Sequence, residues 1–198
     1  MAVLLKICLA AALLLTLPAH AMGGRGSGGE PLRLSFGSYA STPVVITHFG
    51  LETPASEMPS YMTASGMSDR EWPRTHSANL ISTPPDAGRD GLWRLEMQWV
   101  ELPTDRAWRA SIEIPYEKLR QPDTYQLQVI TGPNGLLLIG SDHSAPDRSG
   151  LRDIVRTCGE RVPSADHAWR NDPGYFPELP YIMKDLPPVR DPECHAPD

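Results

Sequence analysis

The stretch GLWRLEMQWVELPTDRAWRASIEIP, residues 91–115, decides the fold. Trp93, Leu95, Met97 and Trp99 alternate with Arg94, Glu96, Gln98 and Val100. After Leu102-Pro103-Thr104-Asp105, a turn, Trp108, Ala110, Ile112 and Ile114 alternate with Arg109, Ser111 and Glu113. A period of two places one set on a buried face and the other toward solvent, and the short polar connection predicts an antiparallel hairpin. Each large side chain buried there is worth roughly 1.5–3 kcal/mol. Glu96 and Glu113 have the look of paired acids, and so do Glu101 and Asp105. The first pair falls on the solvent side with Arg94 and Arg109 beside it, which suits cross-strand charge pairing rather than catalysis.

Downstream, Pro115 ends the second strand. Tyr116–Arg120 is short enough for one helical turn. Tyr125, Leu127 and Val129 alternate with Gln126 and Gln128 as a third strand. Gly132-Pro133-Asn134-Gly135 is a strong turn, because Pro fixes φ and Asn-Gly tolerates positive φ. Leu136–Ile139 completes a second hairpin, so a four-stranded meander is expected. Upstream, Leu32–Tyr39 alternates as a strand, and Pro43–Phe49 is β-branched with its proline at the start. The fold class is therefore mainly β: an antiparallel, sandwich-like meander with long loops. One short helix is expected toward the C-terminus, where LRDIVRTC (Leu151–Cys158) sets Leu151, Ile154 and Val155 at helical spacing and Gly159 supplies a stop.

Glu52–Asp90 shows little periodicity and carries five prolines. Long irregular insertions are often functional. Its Tyr61, Met62 and Trp72 are the candidate partner contacts, with packing of the loop onto the sheet as the alternative. Pro173–Asp198, with seven prolines, is expected to be extended and held by contacts rather than by its own hydrogen bonds.

The first 21 residues have the three parts of a secretory signal: Lys6, the apolar run Ile7–Leu17, and Ala19-His20-Ala21 as a small-x-small cleavage site. The run is short of the roughly 20 residues a membrane span needs. Cys8 sits too early for a lipidation site. A flexible glycine-rich lead-in (22–31), a β domain (32–172) and the proline-rich tail (173–198) follow. Removing the signal takes the net charge from −6 to about −7. Such acidity argues against a nucleic-acid partner and suits a basic protein. Of three cysteines, Cys158 and Cys194 remain. In an oxidising compartment two cysteines most often pair, here closing a loop worth roughly 3–4 kcal/mol and tying the tail to the body. Two free thiols or a metal-binding pair are the alternatives.

No nucleophile elbow, H-E-x-x-H, C-x-x-C or strand-linked phosphate loop occurs, so no catalytic, cofactor or metal residue is assigned. His48, His76, His143, His167 and His195 are scattered. Asp142-His143 and Asp166-His167 are sequence neighbours, and neighbours on a strand point to opposite faces. Ser141, Asp142, His143 and Ser144 cluster locally, which is not triad geometry.

The segments LEMQWVEL, RAWRASIEIPYEKL and YQLQVITGPNGLLLIG resemble a family of bacterial envelope proteins of unknown function, mostly lipoproteins. The resemblance rests on Trp99, Trp108, Pro115, the Gly132–Gly135 turn and Pro43-Val44, over about half of the chain after the signal. Some such proteins look like immunity proteins against toxins delivered by type VI secretion. Taken with the export signal, the acidity, the lack of a catalytic signature and the long aromatic-containing loop, this leads to the expectation of an exported, periplasmic or secreted protein that binds and neutralises a secreted effector. No catalytic residue carries over, and the family's lipidated cysteine is missing here. A structural or accessory envelope protein, and a hydrolase whose histidines converge with acids in a pocket, are the rival expectations.

Overall fold

A computed structural model describes residues 32–39, 41–51, 62–64, 75–81, 91–119, 124–142, 152–171, 179–189 and 192–195. The signal and lead-in expectations (1–21 and 22–31) lie outside these residues, as do Tyr61 and Trp72. The strands are β1 (Leu32–Ser38), β2 (Val44–Leu51), β3 (Met62–Ala64), β4 (Thr75–Ile81), β5 (Leu92–Glu101), β6 (Arg106–Pro115), β7 (Gln126–Gly132), β8 (Leu136–Ser141), β9 (Arg152–Cys158) and β10 (Glu160–Arg161). Among the described residues two short α-helices accompany them, α1 (Tyr116–Leu119) and α2 (Leu179–Lys184). The strands form two five-stranded sheets, ordered β4-β1-β7-β8-β9 and β10-β6-β5-β2-β3. All pairings are antiparallel except β1 with β7.

The expected hairpin β5–β6 forms, with Trp99 opposite Trp108, Leu95 opposite Ile112 and Trp93 opposite Ile114. Its apolar face is fully inside, Leu95, Met97, Trp99 and Ile114 all being 0 % exposed. The other sheet meets it with Leu34, Phe36, Leu127, Val129, Leu137 and Ile139. Phe36 and Phe49 cross the layer edge to face at 5.0 Å between ring centroids. Two sheets sharing one interior in this way make a sandwich.

Four expectations are corrected. The two hairpins do not form one meander: β5–β6 and β7–β8 lie in different sheets, and α1 makes the crossing between them. The apolar alternation of both hairpins is satisfied equally well by two facing layers, so periodicity alone could not choose. Residues 152–158, expected as helix, are strand β9 paired with β8. The register slips between Ile139 and Gly140, which face Val155 and Asp153, so Ile154 is an extra, bulged residue. A bulge places two consecutive residues on the inner side, and Ile154 and Val155 both pack on the core. That arrangement imitates helical spacing. Within the stretch read as an irregular insertion, β3 and β4 add edge strands to the two sheets. In β4 the pairing skips Ala78, which breaks the alternation that would have disclosed it.

The tail also carries α2, whereas only extended chain was expected. Met183 on this helix packs with Val45, Val100, Leu102, Ala107 and Trp169 in a second apolar cluster.

Candidate functional site

Val100 and Ala107 point away from the sandwich interior, where the alternation expects solvent. Both are nonetheless 0 % exposed. They are covered by the chain that follows β10, through Val162, Ala165, Trp169 and Met183. The outer face of the β5–β6 sheet is thus divided. One end lies under the C-terminal segment. The rest is an open polar ladder in which Arg94 pairs with Glu113 at 3.3 Å and Arg109 with Glu96 at 3.7 Å. Both pairings are the cross-strand ones the sequence suggested. Arg109 also donates to Gln98, which donates to Thr47.

The segment is fastened by two carboxylates. Asp105 closes the hairpin loop at φ 54°, a left-handed conformation that Asp tolerates better than most residues. Its carboxylate accepts the Trp169 indole N–H at 2.9 Å and a donor from Arg170, and His167 Nδ1 lies 3.2 Å away. Asp166 accepts the Ala107 N–H at 2.7 Å and both arms of Arg161 at 2.9 and 2.8 Å. The Arg161 hydrogen bonds hold the Asp166 carboxyl below its ordinary value, against the opposing effect of burial. Arg161 in turn lies 5.2 Å over the Trp108 ring. A bidentate, ring-stacked guanidinium of this kind gives a fixed geometry that lysine could not.

The far end of the segment is fastened covalently. Cys158, at the end of β9, is bonded to Cys194 across 36 residues, with Cα atoms 5.7 Å apart. Of the three alternatives left open by the sequence, pairing is the one formed. Asn134 donates to the Cys194 carbonyl at 2.9 Å, and Arg156 pairs with Glu193. The C-terminal segment is therefore a strap, held by Asp105 and Asp166 near one end and by Cys194 near the other. Between these anchors it presents Tyr181, 78 % exposed, and Val189, 45 % exposed.

At the end of β5, on the same side of the strand as Trp99, Glu101 is only 2 % exposed. Its carboxylate accepts the Gly135 N–H at 2.7 Å and the Thr104 hydroxyl at 3.2 Å, joining the β5–β6 loop to the β7–β8 turn. Burial pushes its carboxyl up, and the Gly135 N–H draws it partly back. The Trp108 indole also draws it down, from outside hydrogen-bond geometry.

Of the sequence candidates, the cysteines are brought together. Met62 opens the edge strand β3, where its backbone faces Ile46. His48 and His195 are exposed, and His167 joins the Asp105 cluster. The side chain of His76 and all of His143 lie outside the described residues. Among the described residues, no group of three or more His, Cys, Asp or Glu is placed to hold a metal ion. His167 with Asp105 has the two-residue composition of a general base and its orienting acid. The same carboxylate also takes Trp169 and Arg170, however, so its geometry is that of a fastening. Sequence reasoning missed Asp105, Arg161, Asp166 and Trp169 as a unit. The available signal was a tryptophan, Trp169, set among charged residues beyond the last predicted strand.

Among the described residues, no helix is long and apolar enough to cross a membrane. Compared with protein-family models, curated proteins and solved structures, the chain matches none.

Proposed function

We propose that this chain is an exported, periplasmic or secreted binding protein that engages a protein partner and neutralises it, the partner being a secreted antibacterial effector. One observation supports binding above all. The strap is fixed at both ends, yet presents Tyr181 at 78 % exposure between its anchors. Tyrosine gives a large contact with few torsions to immobilise. A segment ordered in advance also loses less entropy on association. The disulfide suits an oxidising compartment. The net charge of −6 favours approach to a basic partner. The effector identity rests on the family resemblance.

The same strap favours a second reading, an accessory envelope protein docked on a resident component. Using the oxidised chain as bait in an extract of its own bacterium separates the two. Capture of one secreted enzyme, with loss of that enzyme's activity, is the expected outcome. Capture of resident envelope components alone would overturn neutralisation in favour of the accessory role.

A further inference from the structure

The two anchors of the strap differ in kind. The near anchor is non-covalent and broad. Trp169 is 8 % exposed within the apolar cluster that also holds Val45, Val100, Leu102 and Ala107. Asp105 and Asp166 add hydrogen bonds from Trp169, Arg170, Arg161 and the Ala107 N–H. Such an anchor is indifferent to redox conditions.

The far anchor is narrow. Besides the Cys158–Cys194 bond it has the Asn134 hydrogen bond to the Cys194 carbonyl and the Arg156–Glu193 pair. Both side chains of that pair are more than 40 % exposed, so the pair is screened and weak. Beyond Met183, Lys184, Asp185, Pro188 and Val189 are exposed, while Leu186 and Pro187 are half-buried. Among the described residues, and apart from the burial of Cys194 itself, one hydrogen bond and one exposed ion pair do not offset the chain entropy of ordering this stretch.

We propose that the disulfide is a redox latch for the distal strap alone: closed, it fixes residues 183–189 and 192–194; open, it frees them while the sandwich and the near anchor persist. Closing requires two thiols to lose two protons and two electrons. A disulfide-bearing oxidoreductase or a small-molecule disulfide accepts the electrons and leaves as thiols. The latch makes the exposed segment ordered only where thiols are oxidised. A chain still in a reducing compartment then lacks its preformed contact surface. The binding role of the strap rests on the function proposed above. The latch does not, and its test needs no partner.

Limited trypsin digestion of the full chain provides that test. The oxidised protein, the same protein reduced with a phosphine, and the double variant C158S/C194S are digested in parallel. Each sample is quenched, fully reduced, and scored by mass for cleavage after Lys184 and after Arg170. Cleavage after Lys184 is expected to rise at least tenfold on reduction and in the double variant. Cleavage after Arg170, at the near anchor, is expected to change less than twofold, and the cooperative near-ultraviolet circular dichroism melt to be retained. Equal cleavage after Lys184 in all three samples would overturn the latch. So would loss of the cooperative melt on reduction, since the bond would then hold the whole sandwich.

Discussion

The indole N–H of Trp169 donates to the Asp105 carboxylate at 2.9 Å, across 64 residues of chain. Through this bond a hairpin loop grips the segment that covers the outer face of its own sheet. Asp105→Ala removes the acceptor for Trp169 and the counter-charge for Arg170 together. It takes the Asp105 acceptor from a largely buried indole N–H, which costs about 1–3 kcal/mol. Asp105→Asn keeps an acceptor for the indole and tolerates the left-handed backbone, so it should lose about half as much or less. Urea midpoints of the three proteins, ordered wild type, Asn, Ala, check this. An Asn variant as unstable as the Ala variant would place the weight on charge instead.

That bond was not legible in the sequence, and the reason is physical. Period-two alternation reports which residues are inside a layer, and it gave both hairpins, the buried Trp93–Trp99 row and the exposed Arg94, Glu96, Arg109 and Glu113 ladder. It does not report which layer a hairpin joins, so β7–β8 could not be separated from β5–β6. It also fails wherever pairing slips a residue. The bulges at Ile154 and Ala78 hid β9 behind a helical spacing and β4 behind none. The covering of Val100 and Ala107 depends on residues some 60 positions later, beyond the reach of any local pattern. The disulfide was legible because only two cysteines remain after Cys8.

Glu101 sets a pH dependence of unusual sign for a carboxylate. Burial raises its carboxyl above the ordinary value of 4.5, so the folded protein holds the proton more tightly than the unfolded chain. Its contribution to stability is therefore greatest at and below the ordinary range, and falls as pH rises through the raised folded value. Arg106 is the charged group that offsets this through space. Glu101→Gln keeps an oxygen for the Gly135 N–H and cannot ionise. Its urea midpoint at pH 7 should equal or exceed that of wild type, and its profile above the ordinary carboxylate range should be flatter. Glu101→Leu leaves the Gly135 N–H buried and unpaired, and should lose about 1–3 kcal/mol at every pH. A Gln variant with an unchanged pH slope would show that another group carries it.

Gly135 and Gly91 both have positive φ, at 81° and 72°, but different surroundings. A Cβ on Gly135 would lie 2.4 Å from Trp108 Cε3, while one on Gly91 would meet nothing within 4 Å. Gly91→Ala therefore pays only the left-handed backbone cost, about 1–2 kcal/mol. Gly135→Ala adds displacement of a Trp buried in the core, a further 1–3 kcal/mol or so. Because Gly135 also donates to Glu101, its movement disturbs that carboxylate as well. Thermal melts of the two variants measured side by side should differ by several degrees, with Gly135→Ala the lower. Equal melting temperatures would mean that the Trp108 ring moves aside freely.

Tyr181 separates binding from stability. At 78 % exposure its ring contributes little to the fold, and Tyr181→Ala should change the urea midpoint by no more than about 0.5 kcal/mol in stability. In the bait experiment the same variant should retain at most a tenth of the captured partner, the loss of a central aromatic contact typically costing 1.4 kcal/mol or more, about tenfold in affinity. Arg94→Ala, on the open polar ladder and paired with an exposed acid, supplies the comparison: it too should leave stability nearly unchanged, and it should leave capture intact. If Tyr181→Ala captures as well as wild type while Arg94→Ala does not, the contact surface is the polar face of the β5–β6 sheet, and the strap serves to close the outer face of the sandwich rather than to meet a partner.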